Sequence, residues 1–261
     1  MQDLIEKWNS EGYLILEKFY SPDDIHEMDV IQDNAWTIAR EDGWIYDLTL
    51  GTRKRRGEIS AKDRETHRFK FNDLFVESHT MRKIALDRRL SAILEQLMGS
   101  PPVLIGSMQT LRGSGQGFHT DGRYVPTVTS GCHLVSSWLA LEDVSADAGP
   151  IFFYPGSHKL PPFCASDWPD IDSKRSWNIY MEEQVFAHDL TSQPFLGKAG
   201  DVMLIHPELV HGGVPISNHR LTRRSCVFQY HSEYECAMRG LATQRCASGV
   251  WLDLRAELVK S

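Results

Sequence analysis

VLIGSMQTL (residues 103–111) and HLVSSWLAL (133–141) are short runs rich in β-branched and aromatic residues, separated by a stretch with Gly, Pro, Asp and Ser. Each reads as a strand. Three more runs of this kind follow: PIFFY (150–154), DVMLIH (201–206) and SCVFQYH (225–231). Many short strands with turn punctuation predict a sandwich or barrel. Upstream the pattern is helical. Leu4, Ile5 and Trp8 share a helical face that Gly12 stops, and YLIL (13–16) then reads as a strand. Ser21-Pro22-Asp23-Asp24 is a helix start, with Ile25, Met28, Ile31, Ala35 and Ile38 in helical spacing behind it. A second helix runs from about Asp87, with Leu90, Ile93, Leu94 and Leu97 inward, to Gly99. Residues 42–78 are charged and irregular, and Arg53-Lys54-Arg55-Arg56 reads as a solvated loop face or as a contact for an anionic substrate. The expectation is one domain over 1–261, mainly β with flanking helices: a helical cover about 1–100, a strand-rich core about 101–232, and VWLDLRAELVK (250–260) as a helical tail.

Composition narrows the function. The chain of 261 residues is 41% hydrophobic and 24% charged, ordinary values for a globular protein with its own core. A net charge of −7 argues against a nucleic-acid partner, which needs a basic face. No apolar run approaches the roughly 18 residues that would cross a bilayer. The start, MQDLIEKWNSEGY, lacks the basic-then-apolar order of a signal peptide. The five cysteines (132, 164, 226, 236, 246) are odd in number and form no CxxC pair, which predicts reduced thiols and a cytoplasmic setting. The expected partner is a small molecule, with the chain a monomer or homodimer.

Eleven histidines are a generous count, and three stand in H-x-acid triplets: His119-Thr120-Asp121, His206-Pro207-Glu208 and His231-Ser232-Glu233. Taken alone, such a triplet is more often a surface or core pair than a ligand. His119 and Asp121 differ by context. They follow the Gly-rich turn 113–117 on an extended stretch, where residues i and i+2 project to one face. His211, at the end of a later strand, is a third donor. Two His and one carboxylate on one face form the facial triad of non-haem Fe(II) oxygenases and leave positions open. Zinc is the rival metal, although a structural zinc site is more often closed by four ligands.

GFHTDGRY, DAGPIFFYPGSHK, GDVMLIHPELVHGG and TRRSCVFQY together resemble, in order and spacing, the phytanoyl-CoA dioxygenase family of Fe(II)/2-oxoglutarate oxygenases, over roughly residues 10 to 232. The resemblance implies a double-stranded β-helix (jelly-roll) core with iron at the barrel mouth on His119, Asp121 and His211. It favours His211 over His206 because the family's ligand is the His directly followed by Gly. It implies 2-oxoglutarate as cosubstrate, with O2 consumed and ascorbate supportive. The distal carboxylate needs an Arg fork. The resemblance places this Arg a little over ten residues after His211, which selects Arg223, with Arg220 as the outsider. Strand alternation sends Arg224 to the opposite face. Trp138 resembles a tryptophan lining the cosubstrate pocket, or is a plain core residue. Met108, Thr110 and Arg112 share a face used by the family for cosubstrate (Met108, Arg112) and substrate (Thr110). Tyr124 is expected on the substrate side or in packing, and His158 in a rim turn. The family's small hydroxyl residue two after the distal His is Gly213 here.

The implied reaction is hydroxylation of a C–H bond of a small metabolite, with release of succinate and CO2. Asp121 disfavours halogenation, since related halogenases carry Ala or Gly there. Desaturation, epoxidation, ring closure and demethylation use the same triad. The rival reading from another class is a metal-binding jelly roll without oxygenase activity, either a cupin-like isomerase or a 2-oxoglutarate sensor. The segments 44–56 and 168–177 are the expected lids.

Overall fold

The computed structural model describes residues 2–164 and 173–254. Helix α1 (Gln2–Glu11) ends where the Gly12 N–H returns to the Trp8 carbonyl at 2.9 Å, and Gly12 takes the left-handed φ of +79°. Strand β1 (Tyr13–Leu16) follows at once. Helix α2 (Pro22–Asp33) opens on a full capping box: the Ser21 hydroxyl receives the Asp24 N–H and the Asp24 carboxylate receives the Ser21 N–H. The Ser21→Ala change is expected to cost about 1 kcal/mol, read as a melting point lower by roughly 2–4 °C. The helical spacing that continues to Ile38 is broken at Asn34, and α3 (Ala35–Ile38) restarts there. Short helices α4 (Ala61–Thr66) and α5 (His79–Ala85) precede α6 (Arg88–Met98), which Asp87 caps and Gly99 ends at φ +66°.

The strands form two sheets. In the larger, β5 (Pro102–Thr110), β6 (Leu134–Ala140), β9 (Val202–Ile205) and β11 (Ser225–Ser232) are joined antiparallel in the order β9-β6-β11-β5, with β1 on the β9 edge. The smaller holds β7 (Ile151–Phe153), β8 (Gln193–Phe195) and β10 (His211–Gly213) in the order β10-β7-β8. Period two decides what each face buries. Val135, Leu139, Val202, Leu204, Cys226 and Phe228 point outward under the helices, in one core with Met28, Phe75, Leu90 and Leu94. Trp138, Ala140, Met203 and Ile205 point inward and meet Ile151, Phe153 and Phe195 of the smaller sheet. Strands covered on both faces need no polar alternation, so β6 is buried at every position. The result is a jelly-roll core, mainly β, with flanking helices.

Two expectations are corrected. Residues 42–78 are not an irregular stretch: β2 (Trp44–Asp47), β3 (Thr52–Arg55) and β4 (Phe69–Asn72) extend the larger sheet past β5. They escape pattern reading because they are four residues long and charged at an open edge. The basic cluster is spent inside this hairpin. Arg53 and Arg55 lie over the Trp44 ring, and Lys54 faces Asp47 and Asp63. The tail is not helical from its start, since Gly249–Trp251 is strand β13, parallel to β5 and paired with β12 (Gln244–Cys246). Its remainder beyond residue 254 lies outside the described residues, as does the segment 165–172 of the second expected lid; Trp177 sits on α7 (Ser173–Ala187).

Candidate active site

His119 and His211 are set by backbone pairing. Each N–H donates to the other's carbonyl, at 2.9 and 3.0 Å, in an antiparallel bridge that adds His119 to the edge of β10. Directly opposed residues put their side chains on one face, here with ring centroids 4.1 Å apart. Each ring is then turned by a carbonyl two residues back. Nδ1 of His119 donates to Gly117 O and Nδ1 of His211 to Leu209 O, both at 2.9 Å. Carbonyls only accept, so Nδ1 carries the proton and Nε2 presents its lone pair. Thr120 is extended and turns the third donor to the same side. Asp121 itself opens a 3₁₀ turn (Asp121–Arg123) and is not on a strand. Its Oδ1 stands 3.9 Å from His119 Nε2 and 3.8 Å from His211 Nε2. Among the described residues these three are the one His, Cys, Asp or Glu group whose donor atoms lie within 4.8 Å of one another, and all three are buried. Burial, and then the neighbouring His211, push the His119 pKa down to about 3, so the ring stays a neutral ligand.

The triad opens into a cleft of about 610 Å3 between the two sheets. At its far end lies Arg223, 3% exposed. Burial lowers its pKa to about 10, and the group still holds its charge at neutral pH. Its Nη1 donates to Gly149 O at 2.7 Å and its guanidinium carbon sits 5.4 Å from the Trp138 ring centroid. No carboxylate pairs with it among the described residues, and its Nε has no acceptor. A buried cation without an anion is costly unless a ligand supplies one. Gly149 holds the carbonyl in place: at φ +73°, a Cβ there would come 2.8 Å from Val214 O. Gly149→Ala is expected to lose more than about 1 kcal/mol, measured by denaturant unfolding.

Trp138, Met108 and Thr110 line the same cleft, the last with its hydroxyl 3.0 Å from that of Ser225. Tyr124 packs edge-to-face on His119 at 5.8 Å and is 56% exposed at the rim. Arg224 turns to the reverse face, where Asp29 and Asp33 bind it at 2.8 Å each. Arg112 is not in the cleft. Strand β5 stops at Thr110, the chain bends, and Arg112 lines a separate cleft on the reverse side. Arg220 is an exposed loop residue. His206 stacks between Trp8 and His158 away from the triad, and burial followed by the His158 charge lowers its pKa to about 4. His158 Nε2 meets Asn9 O, a packing role in keeping with a rim turn. Sequence reading missed Lys70, Gln116 and Ser225 in the lining. The alternation in Phe69-Lys70-Phe71-Asn72 was the signal for Lys70, hidden by the charged stretch around it.

The family model for phytanoyl-CoA dioxygenase (PhyH) matches residues 8–225. The chain belongs to the phytanoyl-CoA dioxygenase family. It is therefore an Fe(II)/2-oxoglutarate-dependent dioxygenase. Among curated relatives of this family member, the ectoine dioxygenase of Sphingopyxis alaskensis is 23% identical over 218 residues, covering 78% of this chain and 67% of the relative. Phytanoyl-CoA dioxygenase 1 of Oryza sativa is 27% identical over 150 residues, covering 54% of this chain and 50% of the relative. In fold, the iron-bound crystal structure of the S. alaskensis enzyme EctD superposes with a TM-score of 0.66 at 18% identity, covering 90% of this chain and 78% of that one. The donor set suits the family's groups. Two imidazoles and a carboxylate on one side leave the other side of an iron open, and Arg223, which has no carboxylate partner among the described residues, matches the distal carboxylate of a dianionic cosubstrate.

Proposed function

We propose that this dioxygenase hydroxylates a C–H bond of a small-molecule metabolite, with His119, Asp121 and His211 as the iron ligands and Arg223 as the anchor for 2-oxoglutarate. The observation that supports it most is the pairing, across one cleft, of three convergent donors with a buried, acid-free guanidinium. When bound, iron and 2-oxoglutarate supply O2-driven oxidative decarboxylation to succinate and CO2, coupled to oxidation of a nearby C–H bond.

The chain's own residues do the positioning. The Gly117 and Leu209 carbonyls hold both imidazoles in the tautomer that offers Nε2. Asp121 supplies the one negative charge to the metal face, which leaves no ligand place for a halide. Arg223 grips a carboxylate with its free Nε, braced by Gly149 O and the Trp138 face. Thr110 and Ser225 stand next to Arg223 across the β5–β11 register, so Thr110 serves the cosubstrate end, not the substrate side first expected for it. Met108 and Trp138 exclude water from that end. Tyr124 marks the substrate side of the metal.

The single-domain organisation, a small-molecule partner and a cytoplasmic setting belong to the same reading. No helix among the described residues is long and apolar enough to cross a membrane. The test is succinate formation from 2-oxoglutarate with Fe(II) and ascorbate, without added substrate and then across a panel of small metabolites. Slow uncoupled succinate, accelerated by one substrate class with a product heavier by one oxygen, is the expected result. Tight iron and 2-oxoglutarate binding with no succinate under any condition would instead establish a sensor.

A further inference from the structure

Alternation along the sheet edge makes two chambers on one wall. Lys70, Thr110 and Arg223 face the catalytic cleft, while their neighbours Phe69, Phe71, Leu111 and Arg224 face a second cleft of about 1060 Å3 on the reverse side, closed by α2, α3 and α4. Nothing in the catalytic reading uses it, and its contents are unusual for idle surface.

Its floor is aromatic. Trp36 meets Phe69 and Phe71 edge-on, at 5.0 and 4.8 Å. Arg64 lies over the Trp36 ring at 4.6 Å. Four arginines (64, 68, 112 and 224) line it against two carboxylates, Asp33 and Glu65, in a chain whose net charge is −7. Arg224 is neutralised by Asp29 and Asp33, and Arg68 donates to Gly113 O. Arg112 makes no hydrogen bond or ion pair among the described residues, although it is only half-exposed. One amide in the lining is also short of a partner. Gln32 spends its Nε2 on Thr110 O at 2.8 Å and leaves Oε1 without a donor. A buried unpaired amide atom costs stability, so a group that satisfies it gains affinity.

We propose that this reverse cleft is a second ligand site, selective for a small organic anion with a flat aromatic body, an aryl carboxylate or an aryl phosphate. Arg112 takes the anionic group, the Trp36–Arg64 pair takes the ring, and Gln32 Oε1 accepts from a donor on the ring. The proposal does not rest on turnover in the catalytic cleft.

The test is calorimetric titration of the iron-loaded protein without O2, run both with saturating 2-oxoglutarate and without it. The probes are 4-hydroxybenzoate, phenyl phosphate, neutral 4-hydroxybenzyl alcohol and inorganic phosphate. One equivalent of at least one aryl anion is expected to bind, at least about tenfold tighter than the neutral alcohol and inorganic phosphate. Arg112→Ala, at a half-exposed position without contacts to lose, is expected to weaken that binding at least about tenfold and to leave the 2-oxoglutarate KM unchanged. The proposal is overturned if neither aryl anion binds at millimolar concentration, if Arg112→Ala binds as the parent does, or if saturating 2-oxoglutarate abolishes binding. Equal binding of inorganic phosphate would reduce the cleft to a bare cation patch and overturn the aromatic selectivity.

Discussion

Asp121→Ala and His211→Ala are each expected to lower succinate formation more than about 100-fold, because removing a partner one shell further out already costs 10- to 100-fold in metal affinity or activity. The fold should survive both. His211 is held in register by its backbone bonds to His119, which an alanine keeps. Asp121 opens a short turn held by the Tyr124 and Val125 N–H groups on its own carbonyl, and an alanine keeps both of those bonds. The measurements are Fe(II) titration and succinate yield beside far-UV circular dichroism. Native dichroism with iron binding and succinate yield near the parent's in both variants would sink the ligand assignment. Native dichroism with iron binding lost would separate the metal site from the scaffold, as its construction on main-chain pairing implies.

Arg223→Met is expected to move stability and cosubstrate binding in opposite directions. Without 2-oxoglutarate the guanidinium is buried with one carbonyl and one ring face for company. A methionine of similar length removes the desolvation cost, and the melting temperature should hold or rise. Breaking a buried charge pair with the cosubstrate costs about 2–5 kcal/mol, which is roughly a 30-fold to several-thousand-fold rise in the 2-oxoglutarate KM. The parent should gain about 2.7 kcal/mol of stability at a 2-oxoglutarate concentration 100 times its Kd, and the variant less than about 1 kcal/mol at the same concentration. Arg220→Ala, in the exposed loop, serves as the control and should match the parent. A variant that melts well below the parent and keeps the parent's KM would remove Arg223 from the cosubstrate site.

The parts of this architecture legible in the sequence are those whose signal is local. Ser21 and Gly99 announce helix ends through capping chemistry, and the five strand-like runs become β5, β6, β7, β9 and β11, where burial on both faces removes the need for strict polar alternation. Split placement of Arg223 and Arg224 followed from period two. The hidden parts depend on distant partners. Strands β2 to β4 are short, charged and defined only by pairing along an edge. Lys70 could not be placed in the cleft before β4 was known to lie beside β5. Arg112 failed for the complementary reason: period-two reasoning was carried past Thr110, where the strand had ended.

The bridge between His119 and His211 has a consequence for how the molecule matures. The two residues are 92 positions apart, and neither ring has its neighbour until that pairing closes. Closing so long a loop is paid in chain entropy before any metal contact can form. Iron therefore cannot act as a nucleus around which the chain collapses, as zinc does in small metal-dependent domains. The barrel must fold first and recruit its metal afterwards, so a chelator should strip the protein of iron without unfolding it.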